Sequence, residues 1–279
     1  EANISGASNV AVGRSSLAAN TTGSTNSAFG NYALYNNTTA NDNNAFGFNA
    51  LALNTTGGAN VAMGRNALLN NTTASNNTAV GFCSLQTTTT GSNAAFGASA
   101  LRDQTTGIYN TAVGSAAGLL TTTGTRNVAV GTSAMICNTT GSCNTAVGGM
   151  DAGTLPTMWL NTTGNRNTAI GNATLVKNTT GSYNTALGNT ALYANTTADN
   201  NTALGVGALN TNTTGADNTA VGINSLVLNT TGYDNVGIGW CALGRNTTGF
   251  KNTAIGRGAG NSITTGDCNV VIGMDSGAQ

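Results

Sequence analysis

The residues able to do chemistry are few and dispersed. Nine acids, Glu1, Asp42, Asp103, Asp151, Asp199, Asp217, Asp234, Asp267 and Asp275, stand singly along the chain, and there is no histidine to serve as general base or metal ligand. No nucleophile elbow, phosphate-cradling glycine loop or calcium-binding nonapeptide spacing occurs. An enzyme is not expected, and no catalytic residue, cofactor or metal ligand is assigned. Asp217 and Asp234 share one column of the repeat described below with Asp42, Arg126, Arg166 and Lys251, which predicts an exposed edge of mixed charge.

Other residue types recur often enough to suggest chemistry of a different kind. Eleven Asn-Thr-Thr triplets begin at Asn20, Asn37, Asn54, Asn71, Asn138, Asn161, Asn178, Asn195, Asn212, Asn229 and Asn246. Each is an N-glycosylation sequon, and each is equally explained as a turn. Their paired threonines invite an ice-binding or carbohydrate-binding reading through regular Thr and Asn ladders, although neighbouring residues point to opposite faces, so each rung offers one Thr outward at a bend. Five cysteines, Cys83, Cys137, Cys143, Cys241 and Cys268, are an odd number without metal-type spacing. Cys137 and Cys143 flank one corner, where a disulfide and two free buried thiols both remain open.

What positions all of these is a tandem repeat. Marked by the glycine of Asn144-Thr145-Ala146-Val147-Gly148, copies end at Gly13, Gly30, Gly47, Gly64, Gly81, Gly97, Gly114, Gly131, Gly148, Gly171, Gly188, Gly205, Gly222, Gly239, Gly256 and Gly273. The interval is 17 residues except for one of 16 and one of 23. So short and strict a period predicts a parallel β-solenoid, a β-roll of sixteen 17-residue coils, since helical-pair repeats need roughly 30 or more residues per unit. Sixteen rungs at about 4.8 Å predict a rod of about 75 Å. No linker or charge run breaks the phase, so residues 1–279 read as one domain.

Counted from the phase glycine as zero, position −1 is apolar in every copy, from Val12 to Ile272, and is expected to fill the coil. Position −2 is Ala in fourteen of the sixteen copies, the exceptions being Gly237 and Val271, which predicts close packing on the opposite face, against a neighbouring chain or across a very flat coil. Position −4 is Asn throughout: Asn9, Asn26, Asn43, Asn60, Asn77, Asn93, Asn110, Asn127, Asn144, Asn167, Asn184, Asn201, Asn218, Asn235, Asn252 and Asn269. Asn suits a left-handed corner, and stacked Asn also forms amide ladders between rungs; the ladder is the expectation carried forward. The Ala-Leu pair that follows the glycine, as in Ala191-Leu192, reads as a second short strand or turn before the Asn-Thr-Thr-Gly corner.

Six extra residues, placed within 153–160, interrupt the array beside Pro156 and Trp159, and bulges of this kind in solenoids often bind. No polar cap is legible at either end, which predicts a segment of a longer array or end-to-end joining into a filament. Charged residues are only 6% and the net charge is zero, so no nucleic-acid or acidic-membrane footprint exists, and no apolar run is long enough to insert in a bilayer.

The stretch Gly141-Ser142-Cys143-Asn144-Thr145-Ala146-Val147-Gly148 resembles the head repeats of YadA-like trimeric autotransporter adhesins. With its Ala-Leu and Asn-Thr-Thr-Gly segments, the repeat is also similar to phage tail-fibre and related surface-fibre arrays. The resemblance implies a left-handed roll, three chains about one axis, an extracellular, cell-surface or virion location, and attachment to a surface glycan or receptor. The period is about three residues longer than the adhesin pattern, and no stalk or anchor sequence accompanies it. The expected function is a self-associating extracellular fibre or adhesin shaft.

Overall fold

The computed structural model describes residues 3–150 and 153–277. The chain ends and residues 151–152, with the sequence readings that fall on Glu1, Asp151, Ala152 and Gln279, lie outside the described residues. The chain is a parallel β-solenoid, and among the described residues every regular element is a three-residue strand, one per coil. It falls into two compact units, 1–140 and 141–279.

In the first unit the strands are β1 (Val10–Val12), β2 (Ser27–Phe29), β3 (Asn44–Phe46), β4 (Val61–Met63), β5 (Thr78–Val80), β6 (Ala94–Phe96), β7 (Thr111–Val113) and β8 (Val128–Val130). The second unit carries β9 (Thr145–Val147), β10 (Thr168–Ile170), β11 (Thr185–Leu187), β12 (Thr202–Leu204), β13 (Thr219–Val221), β14 (Val236–Ile238), β15 (Thr253–Ile255) and β16 (Val270–Ile272). Within each unit, successive strands pair in chain order without slippage, Ala28 opposite Ala45 and Ala186 opposite Ala203. The short interval keeps Ala79 opposite Ala95, and the long one keeps Ala146 opposite Ala169. Length changes are therefore absorbed in the turns. Thr, Val, Ile and Phe favour the extended backbone. The phase glycine ends each strand at φ between +120° and +146°. At Gly30 a Cβ would also lie 2.5 Å from the carbonyl oxygen of Gly47 in the next coil, so glycine is required twice over.

The strand faces are the reverse of the expectation. The −2 alanines from Ala28 to Ala254 point inward, none more than 2% exposed, while the −1 side chains point outward: Phe46, Met63, Phe96, Val113, Ile170, Leu187 and Ile238 are between 36% and 44% exposed. The reason is the width of the coil. Opposite most −2 residues sits the leucine of the turn, Leu34, Leu192 or Leu226 for example, fully buried, with Met135 and Met158 in its place in two coils and glycine at Gly118, Gly260 and Gly277. At Gly237 even an added methyl would come within 3.3 Å of Leu226 Cγ and 2.7 Å of Ser225 Oγ. The interior has room for one leucine against one methyl, so the small −2 residue is a core constraint and no trace of a neighbouring chain.

The Ala-Leu segment is a turn and not a second strand. Its leucines are left-handed, with φ +50° at Leu34 and +49° at Leu192, and the residue two before each leucine is left-handed as well, as at Tyr32 and Thr190. Left-handed conformations cost a non-glycine residue of order 1 kcal/mol. Stacking offsets that cost: Tyr32 N donates back to Arg14 O at 3.0 Å, and Leu34 N donates forward to Ala50 O at 3.1 Å. The turns are thus hydrogen-bonded from coil to coil as the strands are.

The extra residues of the long coil precede Thr157. Thr157 and Met158 occupy the regular Ala-Leu positions, both fully buried, and Trp159 and Leu160 complete the ordinary turn. The regular turn therefore resumes at Thr157, so the extra residues end earlier than the sequence placement within 153–160.

Candidate functional site

Two columns of asparagine occupy the polar side of the interior. At position −4, Asn184 Oδ1 accepts the backbone N–H of Asn201 at 3.0 Å, and Asn184 Nδ2 donates to Ala198 O at 2.8 Å and to Asn167 Oδ1 at 3.2 Å. The residue in the left-handed conformation is the one before it, Tyr183, so the asparagine is not there for its backbone tolerance. At the sequon corner, Asn195 Nδ2 donates to Asn178 Oδ1 at 2.9 Å and to the same Ala198 O at 3.1 Å. One carbonyl per coil thus joins the two columns. Where the corner residue changes the column breaks: Asn71 and Asn246, followed one coil on by Thr88 and Ile263, each leave a buried Oδ1 without a partner.

This arrangement places the eleven sequon asparagines inside the coil instead of on its surface. All eleven sequon asparagines are at most 1% exposed. At Asn37, Asn54, Asn178, Asn195, Asn212 and Asn229 the amide nitrogen, the atom a glycan would occupy, is spent on hydrogen bonds inside the coil. An attached sugar would have to displace the neighbouring rung. The disulfide reading falls, since all five thiols are free, Cys143 and Cys268 exposed and Cys83 buried. Between Cys137 and Cys143 the corner is filled from inside by the buried Asn138. Burial pushes the Cys137 thiol above its ordinary pKa, and does the same at Cys241, partly opposed by Arg257.

The threonines divide by position. The first Thr of most corners is tied down, as where Thr179 Oγ1 donates to Thr196 O at 3.0 Å and Thr213 Oγ1 to Thr230 O at 3.0 Å. Its partner, Thr180 or Thr214, is exposed in a single row at the bend. A third row escaped the sequence reading: the outward Thr at position −3 of the sheet, Thr145, Thr168, Thr185, Thr202 and Thr219, half-buried or exposed and lying beside the aliphatic −1 column. The signal that would have found this face is the size range at −1. Side chains running from Val to Phe and Met are tolerated where space is open, whereas the uniform Ala at −2 marks confinement.

The charged residues are used locally. Asp103 pairs with Arg102 at 2.8 Å, a contact that raises the Arg102 pKa further. Asp199 Oδ1 accepts the N–H of Ser182 at 2.7 Å, and Asp42 accepts the hydroxyl of Thr25. Arg166 lies over the ring of Tyr183 and hydrogen-bonds its hydroxyl, and Arg257 lies over Trp240. Among the described residues no three His, Cys, Asp or Glu side chains converge as a metal-holding group, and no helix is long and apolar enough to cross a membrane.

The chain matches no family model, no curated protein and no solved structure.

The two outward faces differ. In the 1–140 unit the −1 column holds Phe29, Phe46, Met63 and Phe96, with Phe29 and Phe46 stacked at 4.8 Å between centroids, beside a mixed −3 column of Ser27, Asn44, Val61 and Ala94. In the 141–279 unit both columns are nearly uniform, Thr or Val beside Val, Leu or Ile.

Proposed function

We propose that the protein is a non-enzymatic structural element, the shaft of an extracellular fibre or adhesin. The observation that carries this reading is the coil-to-coil hydrogen bonding of strands and turns alike, backed by the two buried asparagine columns. Such a stack resists local opening because, within each unit, successive coils are tied to one another at strand, turn and corner. The repeat's resemblance to surface-fibre arrays agrees with it, and attachment to a glycan or receptor belongs to the same proposal.

Shafts of this kind work in lateral association, and the 1–140 unit offers a surface for it. Exposed Phe46, Met63 and Phe96 form an apolar, uncharged strip of irregular relief, the composition that buried protein interfaces favour. Copies of the chain, in a trimer or another assembly, bury this strip. Light scattering of the whole protein over a concentration series is expected to give a multiple of the 27.6 kDa chain mass, and Phe46→Asp with Phe96→Asp to give monomer. A wild-type monomer at all concentrations overturns the lateral assembly. Antibody labelling of intact source cells or particles tests the location, and labelling only after permeabilisation overturns it.

A further inference from the structure

We propose that the outward sheet face of the 141–279 unit binds the surface of ice. This goes beyond the shaft reading and does not depend on it. The face consists of two parallel columns on β9–β16. One carries Thr145, Thr168, Thr185, Thr202 and Thr219, continued by Val236, Thr253 and Val270; the other is wholly aliphatic, from Val147 to Ile272. Register is unbroken from Thr145 opposite Thr168 to Thr253 opposite Val270. The bulge before Thr157 leaves the columns uninterrupted.

The threonine hydroxyls on this face make no hydrogen bond to the protein, in contrast to Thr179 and Thr196 at the corner, whose hydroxyls are spent on the next coil. Neither column contains a charged, amide or aromatic side chain. The result is a neutral array of hydroxyls and methyls repeating at about 4.8 Å along the stack, its two columns about 6.7 Å apart. An array that repeats nearly the same pair of side chains on successive rungs is engaged along its length only by a ligand with a translational repeat of its own.

Three such ligands exist in principle: crystalline water, a crystalline polysaccharide, and a second copy of the chain. Polysaccharide sites place aromatic rings against the sugar faces, and neither column carries one: Trp240, Tyr183 and the stacked Tyr233 and Phe250 stand at positions outside the two columns, three of them beside Arg166, Lys251 or Arg257. A second copy would press unpaired hydroxyls against aliphatic side chains, which leaves them unsatisfied. Ice accepts both groups: hydroxyls enter its hydrogen-bond lattice, and methyls restrict the orientation of the water beside them. The single exposed threonine row at the corner, which includes Thr180, has no second column beside it.

The test is thermal hysteresis and ice-recrystallisation inhibition by the whole protein. Activity is expected in the wild type, lost in Thr185→Lys with Thr202→Lys, and kept in the corner control Thr180→Lys. Because Thr185 and Thr202 point outward, circular dichroism and urea midpoints of the double variant are expected to match the wild type. Any one of four results overturns the proposal: an inactive wild type, an active sheet-face variant, loss in the corner control alone, or binding of the wild type only to cellulose or chitin powder. Light scattering of the double variant separates the remaining occupant, since a fall in assembly mass assigns the face to a second copy.

Discussion

Asparagine 184 shows what a single side chain does in this fold. It satisfies the backbone N–H of Asn201 in the following coil, and its removal strands that donor inside the coil, while Ala198 O keeps Asn195 as its donor. Asn184→Ala is expected to lower unfolding free energy by about 1–3 kcal/mol, measured by urea titration, from one buried donor left unsatisfied. For the sequons, intact mass of the folded protein is expected to equal the polypeptide mass before and after deglycosylation; sugar on Asn195 or its equivalents contradicts the buried amide column. The thiols give an order of reactivity. Native alkylation is expected first at exposed Cys143 and Cys268 and last at buried Cys83. At Cys137 the raised pKa lowers the thiolate fraction at any given pH, so its rate trails the exposed pair. The sign for stability follows: the folded state holds this proton longer than the unfolded chain, so the contribution is intact below the unfolded thiol's pKa and is lost as pH rises through the folded value.

At the scale of the element, strand and turn share one narrow interior, and a paired substitution reads out which residues enter it. Ala186→Leu is expected to destabilise by about 1–3 kcal/mol or more, because the added atoms meet a leucine with no space to yield. Leu187→Ala, one residue on and facing out, is expected to stay within about 1 kcal/mol. Leu192→Ala, by contrast, empties the core of its coil and costs about 2–5 kcal/mol. If urea midpoints rank Leu187→Ala as the more damaging strand substitution, the strand faces are assigned the wrong way round. The left-handed leucines explain why this segment cannot become a strand: an extended backbone would carry the side chain past the −2 methyl it must meet.

At the scale of the molecule, energy is distributed along the stack instead of gathered in one core. Excising residues 189–205, one whole period, places β11 against β13 with their registers matched, Ala186 and Ala220 both being central in their strands. The shortened chain is expected to unfold cooperatively with a proportionately smaller m-value, whereas excision of half a period is expected to abolish the transition. Cooperative unfolding of the half-period deletion contradicts a stacked repeat.

The period, the strand positions and the parallel sheet were legible in the residues themselves, because a fixed interval with glycine at one phase leaves the backbone little choice of stacking. The asparagine columns were legible as candidates for the same reason, since a residue kept at one phase in every coil meets its own copies. Which strand face turns inward was not legible. Alternation along Thr-Ala-Val says only that Ala opposes its two neighbours, and the usual preference for burying the larger aliphatic pointed the wrong way. That choice belongs to the tertiary structure: the left-handed leucine of the turn fills the coil from the other side and leaves depth for a methyl alone. The same closure buries the sequon asparagines and hands the solvent a face of threonine, valine and isoleucine.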